Sequence, residues 1–148
     1  AISFVRWFMS SKPHKITSQV KYAPTGVDEQ ASILLQNKED EMASIILSLH
    51  AKQPKRGTIS FDKGYVEIFE YPRGDEAVIT YTDTGETETI TFGKTAKALE
   101  YEIADMEKAV QNGDDMRLRF TNDVMDFMTF IRNEWGMYYP EEEGHDII

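Results

Sequence analysis

The chain has 148 residues, 41% of them apolar and 11% aromatic, with no cysteine and a formal charge of −10. This excludes intrinsic disorder, disulfides, thiolate metal sites and a cysteine nucleophile. An acidic chain of this kind is repelled by phosphate backbones and anionic lipid, and no apolar run reaches the ~20 residues of a membrane span, so neither nucleic acid nor a membrane is an expected partner.

The size suits one domain of cytoplasmic type. The opening Ala1-Ile2-Ser3-Phe4-Val5-Arg6-Trp7-Phe8-Met9 is amphipathic and reads as the last turns of a helix, with Arg6 interrupting its apolar run and Pro13 beyond its end. It lacks the order of a signal peptide, and suggests a domain cut from a longer protein, although removal of an initiator Met before Ala1 would also explain it. From His14 to Phe92 the dominant period is two. Ile16, Ser18, Val20 and Tyr22 share a strand face, and Pro24-Thr25-Gly26 marks a turn. Ala31, Ile33 and Leu35 alternate with Ser32 and Leu34, Gln36 to Glu41 reads as a hairpin loop, and Met42 to Leu49 as a central strand. Thr58 to Phe61 and Tyr65 to Tyr71 flank Asp62-Lys63-Gly64, a tight turn in which Gly64 is expected to supply positive φ. Ala77 to Tyr81 and Thr87 to Phe92 complete seven candidate strands, mostly spaced for antiparallel pairing.

After Gly93 the period becomes 3.6. Leu99, Ile103, Met106 and Val110 form one stripe, and Gly113 suits the left-handed position that ends a helix. A second helix is predicted from Thr121 as N-cap, with Asp123 near the positive end of its dipole and a stripe of Val124, Phe127, Met128, Ile131 and Trp135 up to Gly136. Residues 141–148 form an acidic tail expected to fray, with residues 1–140 as the folded part. Strands in a block followed by helices in a block predict an α+β domain: an open, antiparallel-rich, mixed sheet of about six or seven strands with two or three helices on one face. The bare face, carrying residues such as Tyr65, Tyr81, Thr89 and Thr91, is expected to meet a second protein surface, so the chain is expected to form a homo-oligomer through it.

The chemistry-bearing residues are sparse. His14, His50 and His145 stand too far apart for zinc-ligand spacing, so no metal site is expected. Gly93-Lys94-Thr95 has the end of a phosphate loop, but Glu88 occupies the place of the other required glycine. No Gly-x-Gly-x-x-Gly fingerprint and no Gly-x-Ser-x-Gly elbow occur. Paired acids such as Asp114-Asp115 read as solvated turns, and Met9, Met106, Met125 and Met128 as core filler. No catalytic or cofactor-binding residue is expected in this chain.

The order of several segments nevertheless resembles a known family. These are Thr25-Gly26-Val27-Asp28-Glu29 with the strands through Leu35 and Leu49, Arg56-Gly57-Thr58-Ile59-Ser60-Phe61-Asp62-Lys63-Gly64-Tyr65, the helix with Leu99, Tyr101, Glu102, Ile103 and Met106, then Asp123-Val124-Met125 and Trp135-Gly136. Together they resemble the C-terminal domain of the glucose–fructose oxidoreductase/inositol dehydrogenase (Gfo/Idh/MocA) family of NAD(P)-dependent oxidoreductases, nearest its dihydrodiol-dehydrogenase-like branch.

The resemblance implies an N-terminal Rossmann domain, absent from this chain, that carries the glycine fingerprint, a Glu-Lys-Pro lysine and a His or Tyr just ahead of the first helix. It implies NAD or NADP in the full-length protein, none in this part alone, and an oxidation or reduction of a CH–OH group of a sugar, cyclitol or diol. Where many members have Asp in the first helix this chain has Ser3, which favours the branch with Tyr. Ser3 and Arg6 are the residues placed to approach the substrate cleft. The competing expectation is a free-standing α+β module holding a small apolar ligand among Phe4, Trp7, Tyr65, Phe69, Phe127 and Trp135.

Overall fold

The period-two segments fold as seven antiparallel strands in a computed structural model that describes residues 1–138. The acidic tail, His145 included, lies outside the described residues. Strands β1 (Lys15–Tyr22), β2 (Asp28–Gln36) and β3 (Met42–Ser48) form one sheet in that order. Strands β4 (Arg56–Phe61), β5 (Gly64–Phe69), β6 (Glu76–Tyr81) and β7 (Thr87–Thr91) form a second. The α+β class holds. Among the described residues the strands are divided between two hydrogen-bonded sheets instead of running through one, and every pairing is antiparallel. The chain accordingly forms two compact units, one of Ala1–Lys52 with the residues from Arg119 onward, the other Gln53–Leu118.

In the first unit, helices α1 (Ile2–Phe8) and α3 (Leu118–Glu134) cover one face of the β1–β3 sheet. Alternation sends Ile33 and Leu35 of β2 and Ile45 of β3 to that face, where they meet Phe127 and Ile131 of α3, and Ile2 and Val5 of α1 pack beside them. Each such fully buried side chain contributes about 1.5–3 kcal/mol, so this cluster outweighs the surface ion pairs, each worth about 0–1 kcal/mol. The register places Leu34, Met42 and Ile46 on the opposite face, where all three are exposed.

In the second unit, helix α2 (Ala98–Asn112) follows a short 3-10 turn at Thr95–Lys97 and ends at Gly113, whose φ of 65° is the expected left-handed cap. Gly64 departs from expectation. It lies inside β5 without positive φ, and a Cβ there would stand 2.2 Å from the Thr80 carbonyl oxygen. Close approach of β6, and not turn geometry, is what requires glycine. The register also separates the residues expected on one bare face: Tyr65, Thr89 and Thr91 share a side of this sheet, and Tyr81, paired with Gly64, is on the other.

Helix α3 starts at Leu118, three residues before the expected Thr121 cap. The acids of the preceding turn are not merely solvated. Asp114 Oδ1 accepts the Met116 N–H at 2.8 Å and Asp115 Oδ1 the Arg117 N–H at 2.9 Å, holding two residues with positive φ. The methionines are also divided. Met9 is buried, whereas Met106, Met125 and Met128 are exposed and fill no core.

Candidate functional site

Helix α1 is the element on which the sequence placed its two candidate contacts. Its exposed Ser3 lies one turn before Arg6, which is buried. Arg6 sits in an apolar run because α3 supplies its counter-ion: Nε donates to Asp123 Oδ2 at 2.7 Å, and Nη1 donates to the Met9 carbonyl at 2.9 Å. The guanidinium also stands 4.5 Å from the Phe120 ring centre. Asp123, expected to serve the helix dipole, is thereby the partner of Arg6. Trp7, next along α1, stacks at 5.5 Å on Phe120 and remains exposed, as does Phe8. Thus Arg6 fixes α1 to α3, while Ser3, Trp7 and Phe8 are left at the surface.

The exit of α1 is tied down by a cluster that strand and helix periodicity did not reveal. Asn37, fully buried in the β2–β3 turn, accepts the Glu41 and Glu39 N–H groups through Oδ1 at 2.9 and 3.2 Å. Its amide donates to Glu41 Oε2, which also accepts the Ser10 N–H at 2.9 Å and the Ser10 hydroxyl at 3.0 Å. These donors, the Ser10 N–H foremost, hold the Glu41 carboxyl below the usual glutamate range against a smaller desolvation effect. Midway along β1, Ser18 Oγ accepts the Trp135 Nε1–H at 2.9 Å. The signals were an arginine in an apolar run and an Asn four residues before a Glu in a turn; neither names its partner without the fold.

The second unit has an open groove of about 680 Å3, bordered by Lys55, Phe69, Glu70, Arg73, Asp75 and Thr95 among others. Its charges are of both signs, so it selects neither an anion nor a cation, and neither Ser3 nor Arg6 lines it. The six aromatic residues expected around an apolar ligand fall in different units, Tyr65 and Phe69 in the second and the other four in the first. Only Phe127 among them is fully buried, and Trp7 and Phe69 are exposed.

A nucleotide does not fit the one phosphate-loop-like segment. The Lys94 N–H donates to the Tyr101 hydroxyl at 3.1 Å, and the Tyr101 ring lies against Gly93. Thr95 Oγ1 donates to the Arg73 carbonyl at 2.6 Å. The Lys94 N–H and the Thr95 hydroxyl are thus engaged within the chain. Among the described residues no three metal-binding side chains converge, and no helix is long and apolar enough to cross a membrane.

Solved structures share this architecture. Part of a sugar-nucleotide dehydrogenase has this fold. UDP-N-acetylglucosamine 3-dehydrogenase GnnA from Acidithiobacillus ferrooxidans matches in its P212121 form with a TM-score of 0.64 and 17% identity, and in its P21 form with 0.59 and 13%. Each match covers 76% of this chain and 36% of the dehydrogenase chain, so this chain corresponds to roughly a third of that protein's length. At such identities the likeness establishes the fold. No protein-family model matches the chain, and no curated protein matches it by sequence.

Proposed function

We propose that this chain is the substrate-side and subunit-pairing part of an NAD(P)-dependent oxidoreductase of the Gfo/Idh/MocA family, acting on a CH–OH group of a sugar, cyclitol or diol. The observation that carries the reading is the shared fold with part of GnnA, reached independently of the segment order that resembles the same family. The neighbour is named for a sugar-nucleotide substrate, which favours a sugar over a diol; the dihydrodiol-dehydrogenase-like branch rests on the sequence order alone.

The sequence carries no Gly-x-Gly-x-x-Gly fingerprint, which supports assigning hydride transfer to a cofactor-holding Rossmann half outside this chain. The part played here is positional. Arg6 and Asp123 set α1 rigidly on α3, leaving Ser3, Trp7 and Phe8 as the surface against which that half and the substrate would sit. The exposed Leu34, Met42 and Ile46 face of the β1–β3 sheet would pair with a second copy.

The coding sequence upstream of Ala1 tests this reading. The expected finding is about 100–150 codons that encode a first strand, Gly-x-Gly-x-x-Gly and Glu-Lys-Pro. An upstream region without them would contradict it.

A further inference from the structure

Helix α2 turns its apolar side chains outward. Leu99, Ile103, Met106 and Val110 are 63%, 63%, 54% and 76% exposed. At 3.6 residues per turn their 4-3-4 spacing places all four within about 60° of arc. Tyr101 projects from the opposite side of the helix, where its hydroxyl accepts the Lys94 N–H and its ring lies against Gly93. The helix is therefore anchored by its back, and the stripe points away from the anchor.

The spacing is that of two heptads with apolar a and d positions. Glu102 borders the stripe on one side and Glu107 on the other, with Glu100 beyond Glu107 and held by Lys97 Nζ at 2.9 Å. We propose that this stripe docks an amphipathic helix of a partner protein whose apolar seam is bordered by lysine or arginine. Charge decides between occupants. In a parallel pair of α2 helices Glu102 would face Glu107 of the second copy; in an antiparallel pair with all four apolar layers matched Glu107 would face Glu100 of the second copy. Like charges at such positions destabilise the pair. Basic borders turn both repulsions into attractions. This inference does not depend on the dehydrogenase reading.

The test uses the whole 148-residue chain and a synthetic amphipathic helix with a Leu/Ile seam and Lys borders, against a twin with Glu borders. Binding is followed by fluorescence anisotropy and by amide chemical shifts in ~0.15 M salt. The Lys peptide is expected to saturate with shifts confined to residues 98–112, and the Glu twin to bind about tenfold more weakly or worse. Ile103→Ser with Val110→Ser, which leaves the charge unchanged, should weaken the Lys peptide about tenfold with the melting curve unmoved. Glu102→Gln with Glu107→Gln should erase the preference between the two peptides. Equal binding by the Ser variant would show only general attraction of an acidic chain for a cation and would overturn the proposal. So would shifts centred elsewhere, or self-association in sedimentation velocity that the Ser variant abolishes.

Discussion

Arg6 and Asp123, 117 positions apart in sequence, meet at 2.7 Å with both side chains largely removed from water. The pair joins the first helix to the last, and an arginine that interrupts an apolar run becomes the pin of the α1–α3 layer. Removing one member leaves the other charge buried without its partner, which is costlier than never having buried the pair.

Asp123→Ala should therefore destabilise the chain by about 3 kcal/mol, and Arg6→Met by less, because the Asp123 carboxylate it strands is more exposed to water than the Arg6 guanidinium and the Met stem still covers Phe120. Urea unfolding at neutral pH measures both; equal effects would assign the loss to packing alone.

Asn37→Ala removes the acceptor of two part-buried backbone N–H groups and should cost about 1 kcal/mol. Asn37→Asp restores the acceptor but sets a second carboxylate against Glu41, so it should recover little. Thermal unfolding of the two variants checks this.

Glu41 carries a pH dependence of defined sign. Its folded pKa lies below the ordinary value, so its contribution is complete above the unfolded value of about 4.3 and fades as pH falls through the lower folded value. Glu29, held down by its hydrogen bond from Lys21, acts in the same sense. Glu41→Gln should thus be less stable than the parent at pH 7, with the gap closing in acid. A gap that stays constant from pH 7 to about 3 would contradict the assignment.

Gly64→Ala should destabilise by about 1–3 kcal/mol or more, since the added methyl meets backbone oxygen and no flexible side chain. Amide exchange would show protection lost first between β5 and β6.

These sites also mark what was readable in the sequence. Alternation at Ala31, Ile33 and Leu35 identified β2 and its buried face correctly, and Gly113 ended α2 where its conformational freedom indicated. Local period and turn chemistry are short-range properties, so they survive without the fold. The partner of Arg6, the Asn37–Glu41–Ser10 cluster and the bond from Trp135 to Ser18 each depend on distant segments meeting. The division into two sheets was likewise not legible, because a break in hydrogen bonding between β3 and β4 leaves no periodic trace. The stripe of Leu99, Ile103, Met106 and Val110 was found, but periodicity reports only that a helix has an apolar side, not whether that side is covered.

The proposed pairing face has its own test. Light scattering should give twice the monomer mass for the parent chain and the monomer mass for Leu34→Glu with Ile46→Glu, with circular dichroism unchanged. A parent chain that remains monomeric at high micromolar concentration would remove the β1–β3 sheet as a subunit interface.

The central claim, that this chain needs a separate cofactor-holding half, is tested most directly by calorimetric titration with NADH and NADPH. The account predicts no heat of binding to the 148-residue chain and saturable binding once the chain is extended through its upstream coding sequence. Micromolar binding by the chain alone, or none by the extended protein, would contradict it.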